Sequence, residues 1–298
     1  MNPAARALLA DMTIVRRQLL VAWAVLAGCG AAAPAVPLQA RASEPIRAAP
    51  DEWRGEATDG THVCGLRGPL AAGVVWCRDE ISGSGEPPPP PVALAIHDAI
   101  RVAMSQEALC VLRAGLWTQG HVWCGSVGLG YEPVSADVAF RDLGRSPDPI
   151  DLVMFADAIC VRDRAQTVWC RDVNSPATFS VVPGLVGARA LALGTLVPAE
   201  YESPVVVLGC AVTARGGVSC FLAPSSTATE VPGFADVTAL MIARDDPGRV
   251  CARTQRGPLR CVKLNEDGVP DGPPVPLSPG EAEAWGDVGP AMVTAAPQ

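Results

Sequence analysis

"GHVWCGS", residues 120–126, holds a string that the chain uses three times. Val75-Trp76-Cys77, Val122-Trp123-Cys124 and Val168-Trp169-Cys170 are the same three residues, returning about every 47 positions. Each string ends on the second member of a cysteine pair. The pairs are Cys64/Cys77, Cys110/Cys124, Cys160/Cys170, Cys210/Cys220 and Cys251/Cys261. Their first members stand 46, 50, 50 and 41 residues apart.

The neighbours of these cysteines read as paired strands. Two residues before each second cysteine sits Val75, Val122, Val168, Val218 or Leu259, on the cysteine's own face at the strand period of two. After each first cysteine comes a small or β-branched residue: Gly65, Val111, Val161, Ala211 or Ala252. If the cysteines of the last three pairs face each other, the turns are Arg164-Ala165-Gln166, Ala214-Arg215-Gly216 and Gln255-Arg256-Gly257. A three-residue hairpin loop wants a left-handed residue in third place. Gly216 and Gly257 meet that need, whereas Gln166 predicts a weaker turn or another register. The first two hairpins are longer, with Gly68-Pro69 and residues 115–120 at their tips.

The bulk composition agrees. Of 298 residues, Gly and Pro number 29 each, which favours many short strands joined by turns over long helices. The net charge is −8 and no basic stripe exists, so a nucleic acid partner is not expected. At the N-terminus, Arg16-Arg17 precedes an apolar run at 19–26, too short for a stable bilayer span, and small residues follow. This is the pattern of a secretory signal, residues 1–28. Leu26-Ala27-Gly28-Cys29 resembles the bacterial lipobox, which implies cleavage before Cys29 and lipidation of that residue. Gly30, in place of Asp, leans toward the outer membrane. Residues 29–50, rich in Ala and Pro, read as a flexible tether, and residues 51–298 as the globular domain. An exported chain meets an oxidising compartment, so the ten remaining cysteines read as five hairpin disulfides. Closing an 11-residue loop is worth about 2.7 kcal/mol in the chain-entropy model. Zinc is disfavoured, since there is no Cys-x-x-Cys and only His62, His97 and His121 exist.

Units of this length, each with one hairpin, predict an all-β fold made of propeller blades. Further strands are expected at 99–104, 188–193 and 237–242, and residues 205–212 are apolar on both faces, as for a strand buried between blades. Val-Pro-Gly at 182–184 and 231–233 marks equivalent turns. The units resemble the regulator of chromosome condensation repeat, in the cysteine-paired form of exported bacterial proteins. That form reads roughly His-x-Cys-Ala-Leu, a Gly-containing turn, then Val-x-Cys-Trp-Gly. His62-Val63-Cys64-Gly65-Leu66 matches the first half; Cys110-Val111-Leu112 and Cys210-Ala211-Val212 match it partly; the three Val-Trp-Cys strings match the second half. The likeness covers residues 55–265. Ser219 and Arg260 depart from it where Trp would stand, and the Trp-Gly-x-Asn stretch is reduced to Gly125 and residues 128–130. The resemblance implies a β-propeller of this type. Five repeats are recognisable, and six or seven blades with degenerate members stay open, with the tail at 273–298 completing a blade with residues 51–60. The family's nucleotide-exchange and chromatin contacts do not carry over, because no residue here matches them.

Catalytic motifs are missing: there is no Gly-x-Ser-x-Gly, His-Glu-x-x-His or phosphate loop. His62 and His121 fall on strand positions and His97 on a loop. "NEDGVPDG", 265–272, has spacing faintly like a calcium loop but lacks a distal Glu at the right distance. "EPPPPP", 86–91, reads as a polyproline spacer between units one and two. No cofactor or metal is expected. The expected function is that of a non-enzymatic protein-binding module in the cell envelope, anchored to the membrane by its lipid. Its partner would be an envelope or extracellular protein, met by a face built from the inserts at 82–95, 127–150 and 196–204. Alternatives are a structural or adhesive envelope component, or a carbohydrate-active enzyme with several carboxylates in the propeller funnel. The Trp residues read as inter-blade packing, or as aromatic contacts for a partner.

Overall fold

The computed structural model describes residues 53–69, 73–79, 89–106, 108–114, 120–126, 134–197, 205–224, 226–243, 246–255, 257–278 and 293–294. All fall in the compact unit Ala49–Gln298. The expected signal peptide at 1–28, the lipidation site Cys29 and the tether at 29–50 lie outside the described residues.

Five antiparallel sheets follow one another along the chain, and no helix occurs among the described residues. Blade 1 is β1 (Arg54–Thr58), β2 (His62–Arg67), β3 (Val74–Asp79) and β4 (Val92–Ala93). Blade 2 is β5 (Ala99–Met104), β6 (Leu109–Arg113), β7 (His121–Gly125) and β8 (Arg141–Arg145). Blade 3 is β9 (Pro149–Phe155), β10 (Ala158–Asp163), β11 (Val168–Asp172) and β12 (Ser180–Val181). Blade 4 is β13 (Ala190–Val197), β14 (Val206–Val212), β15 (Val218–Leu222) and β16 (Thr229–Val231). Blade 5 is β17 (Val237–Ile242), β18 (Arg249–Thr254), β19 (Leu259–Lys263) and β20 (Val275–Pro276), with a fifth strand, β21 (Val293–Thr294), on the free edge of β17. The strands expected at 99–104 and 237–242 fall where the pattern put them. The one expected at 188–193 starts two residues later and runs on to Val197.

The hairpin reading holds in all five blades. Each cysteine pair is directly opposed across the second and third strands and bridged, with Cα atoms 4.0–4.1 Å apart. That short separation marks a non-hydrogen-bonded pair, the position where opposed side chains lie nearest. Val75, Val122, Val168 and Val218 are wholly buried beside their cysteines and Leu259 nearly so. β14 is buried along almost its whole length, as its two apolar faces require.

The turns differ from expectation in two places. Gln166 adopts a left-handed φ of 64° in the loop position that Gly216 fills with φ 76°, and the third hairpin keeps the common register. The turn survives because Asp163 braces it: its Oδ1 accepts from Thr167 N at 2.8 Å and its Oδ2 from Trp169 Nε1 at 2.9 Å. Gly257, by contrast, does not take the left-handed conformation.

The cysteine face of each blade packs on the opposite face of the next. One apolar cluster joins Cys64, Val75 and Cys77 to Val102, Met104 and Val111. The next joins Cys110, Val122 and Cys124 to Leu152, Ile159 and Val161, with Trp169 against it. The third joins Cys160, Val168 and Cys170 to Leu191, Ala211 and Phe221, and the fourth carries blade 4 onto Leu240, Val250 and Val262. The fifth, around Met241, Cys251 and Cys261, stays within blade 5. Among the described residues, no cluster joins blade 5 to blade 1. Where the tail is described it departs from expectation: Val275–Pro276 completes blade 5 on β19 and Val293–Thr294 adds to β17, while β1 pairs with β2. Among the described residues the tail thus adds strands to blade 5 and none to β1.

Trp169 serves inter-blade packing, against blade 2, whereas Trp123 of blade 2 lies under Arg113, 4.8 Å from its ring. In blade 4, where Ser219 replaces Trp, Phe221 fills the space two residues on. It fits because its strand partner is Gly209: a Cβ there would lie 2.3 Å from the Phe221 ring. Blade 1 follows no other blade among the described residues, and its Trp face is covered by arginines. Arg67 lies 5.1 Å from the Trp53 ring and 4.9 Å from Trp76, and Arg78 lies 5.0 Å from Trp53. A stack of guanidinium on indole gives a terminal repeat a wettable outer surface.

Candidate interaction face

Consecutive antiparallel strands send their connections alternately to two ends of each sheet. One end collects the cysteine hairpins and the linkers between blades. Here backbone groups knit every interface the same way. Ala99 N bonds to Gly73 O at 3.1 Å, Ser146 N to Gly120 O at 2.9 Å, Ala188 N to Gln166 O at 2.9 Å and Val237 N to Gly216 O at 2.9 Å. Asp98, Asp148 and Asp236, just before three inner strands, each receive a second bond, from Ala114, Arg164 and Gln255. Asp98 also pairs with Arg113 at 2.5 Å and Asp148 with Arg164 at 3.0 Å. Sequence reading passed over these aspartates, although the 50-residue step from Asp98 to Asp148 repeats the cysteine spacing.

The other end collects the connections β3→β4, β7→β8 and β13→β14. These hold most of the inserts at 82–95, 127–150 and 196–204. Residues 82–88, 127–133 and 198–204 lie outside the described residues; Pro89 to Pro91, residues 134–150 and Leu196 are described. At this end side-chain contacts join a backbone bond from Gly248 N to Thr195 O at 2.7 Å across blades 4 and 5. In blade 1, Asp59 Oδ2 and His62 Nδ1 are 2.9 Å apart, both buried, and His62 Nε2 lies 3.7 Å from Asp79. Burial alone would raise the Asp59 carboxyl pKa; hydrogen bonds from His62 and from the backbone of His62 and Thr61 outweigh it and hold the pKa below the usual range. Between blades 2 and 3, Arg141 donates to Val173 O at 2.6 Å while Arg171 donates to the carbonyls of Leu143 and Ser175. Burial, then the nearby Arg141 charge, lowers the Arg171 pKa. Between blades 4 and 5 an open depression of about 660 Å³ is lined by Leu196, Pro247, Lys263, Glu266, Asp267 and Asp271.

The remaining sequence candidates are placed as follows. His62 and His121 open strands β2 and β7, and His121 Nδ1 lies 2.8 Å from Asp142 Oδ2. His97 is exposed in the linker before β5. In the loop 265–272, Asn265 Oδ1 accepts from Asp267 N and Val269 N, so this carbonyl closes its own turn. Among the described residues no group of three His, Cys, Asp or Glu comes together as a metal site. The inner strands β1, β5, β9, β13 and β17 carry two carboxylates, Glu56 and Asp151. Asp151 pairs with Arg162 at 3.2 Å and lies 4.0 Å from Arg101.

No protein-family model and no curated protein matches the chain. Among solved structures it is similar to Prp20p of Saccharomyces cerevisiae, the yeast regulator of chromosome condensation. The two are 12% identical over 79% of this chain and 72% of that one, with a TM-score of 0.50. It is also similar to human WBSCR16, at 13% identity over 73% and 65% of the two chains and a TM-score of 0.47. The WD40 domain of Neurospora crassa Pan2 matches at 16% identity over 76% and 65%, with a TM-score of 0.46. The likeness to Prp20p concerns the fold: the chain is a β-propeller of that type.

Proposed function

We propose that this chain is an exported lipoprotein, lipidated at Cys29 and held at the cell envelope, on the outer membrane, whose propeller binds another protein without catalysis. The observation that carries this reading is the contrast between the two ends of the blades. One end is a uniform backbone belt, and the other gathers three long connections of unequal length and sequence, the usual location of recognition. Prp20p, the propeller it resembles in fold, has binding properties toward Gsp1p and histones, and broad protein contacts suit such a scaffold. The enzyme reading is weaker, since a funnel hydrolase gathers several inward carboxylates. Here the inner strands offer Glu56 and an arginine-neutralised Asp151. The test is crosslinking of the tagged protein in its own cells, with an unrelated lipoprotein as control. Specific capture of one protein supports the reading; capture of bulk envelope proteins at control levels overturns it in favour of a structural role.

A further inference from the structure

Among the described residues, β17 is the inner strand that carries a further strand on its axial edge. Its partner, β21, comes from the tail: Ala239 faces Thr294 and Leu240 faces Val293. β21 also runs alongside β13, so it occupies the axial side of blades 4 and 5. This sector differs from the rest of the axis in charge. β13 and β17 carry no charged residue, whereas β1 bears Arg54 and Glu56, β5 bears Arg101 and β9 bears Asp151. The tail from Val288 to Gln298 is likewise free of charged side chains and reads VGPAMVTAAPQ. Ala239 and Leu240 are buried between blades, which leaves the β17 edge to offer mainly backbone donors and acceptors. An open strand edge is a template for any extended segment of fitting chemistry.

We infer that the axial edge of β17 is a docking site for an extended, uncharged segment of a protein partner, and that β21 is the chain's own stand-in for it. The inference rests on the reading that the chain binds a protein. Two residue pairs make a short ladder, and β21 competes mainly by being tethered, at an effective concentration on the order of millimolar. A partner strand with more pairs would displace it.

The test uses the full chain and a fluorescein-labelled peptide of sequence GPAMVTAAPQ. Val293→Pro with Thr294→Pro removes two amides from β21, and Thr294→Asp adds a charge to the uncharged sector without altering the backbone. Both variants are expected to bind the peptide about ten-fold more tightly than the natural chain. Hydrogen-exchange protection at residues 239–240 should fall in the variants and return with peptide. Equal binding by all three proteins overturns the inference, and so does dimerisation by exchange of tails, which would make a second copy the occupant. In-cell capture separates the two proposals. A partner lost on deleting 127–133 but held equally by the β21 variants sinks the inference and keeps the protein-binding reading. Peptide binding without any captured partner sinks both, and leaves β21 as a strap for the chain's own edge.

Discussion

Gln166 and Gly216 hold the same left-handed turn position in the hairpins of blades 3 and 4, at φ 64° and 76°. Only the second has the residue type that adopts this conformation freely. Replacing Gln166 by Gly should relieve the strain of a side chain there, about 1 kcal/mol, less the added freedom of the unfolded chain. Urea unfolding is expected to show a net gain of about 0.5 kcal/mol. A loss would mean that the Gln166 side chain makes a contact worth more than the strain.

The Asp59–His62 pair predicts a pH dependence. The Asp59 carboxyl has a pKa held below its ordinary 3.8. Its contribution to stability is therefore present above the unfolded value and is lost as pH falls through the folded one. At pH 7, Asp59→Asn should lower stability by about 2 kcal/mol, the scale of a buried charge-assisted hydrogen bond. Below pH 3.8 the gap between the two proteins should narrow. Denaturation curves at a series of pH values check this; a gap that stays constant into acid would assign the loss to shape, not charge.

Arg141 and Arg171 exchange backbone acceptors across the interface of blades 2 and 3. Arg171 serves three carbonyls, of Leu143, Ser175 and Asp172. A lysine cannot present that fork. Arg171→Lys should lower stability by about 1–3 kcal/mol, and hydrogen exchange should quicken first at Leu143 and Val173. Uniform exchange across all blades would argue against a local tie.

Each bridge closes a short hairpin. Replacing Cys210 and Cys220 together by Ser should lower stability by about 2–5 kcal/mol, the loop-closure effect plus two hydroxyls in a site wholly buried at Cys210. Replacement by Ala removes the polar penalty and should recover part of it. Thermal unfolding of the two double variants gives both numbers.

Deleting residues 127–133 should leave the melting transition near that of the natural chain while weakening capture of the partner. Full retention of capture would move the binding face away from this insert.

The sequence by itself determined everything that a single hairpin can express. Val75 with Cys77, or Val168 with Cys170, declares a strand and its buried face, because side chains alternate at a fixed period. Bonded cysteines stand 10 to 14 positions apart, which fixes the register locally. The repeat of that unit predicts blades, while their number stayed open between five and seven. Only the tertiary structure decided what lies between units. It showed that Phe221 replaces a missing Trp, that arginines close the Trp face of blade 1, and that Val293–Thr294 adds to β17. It also showed that Gln166 is held left-handed by Asp163. These outcomes turn on competition among surfaces far apart in the chain, where backbone ladders and packing outweigh residue preference, and a single strand's pattern carries no record of which surface will face it.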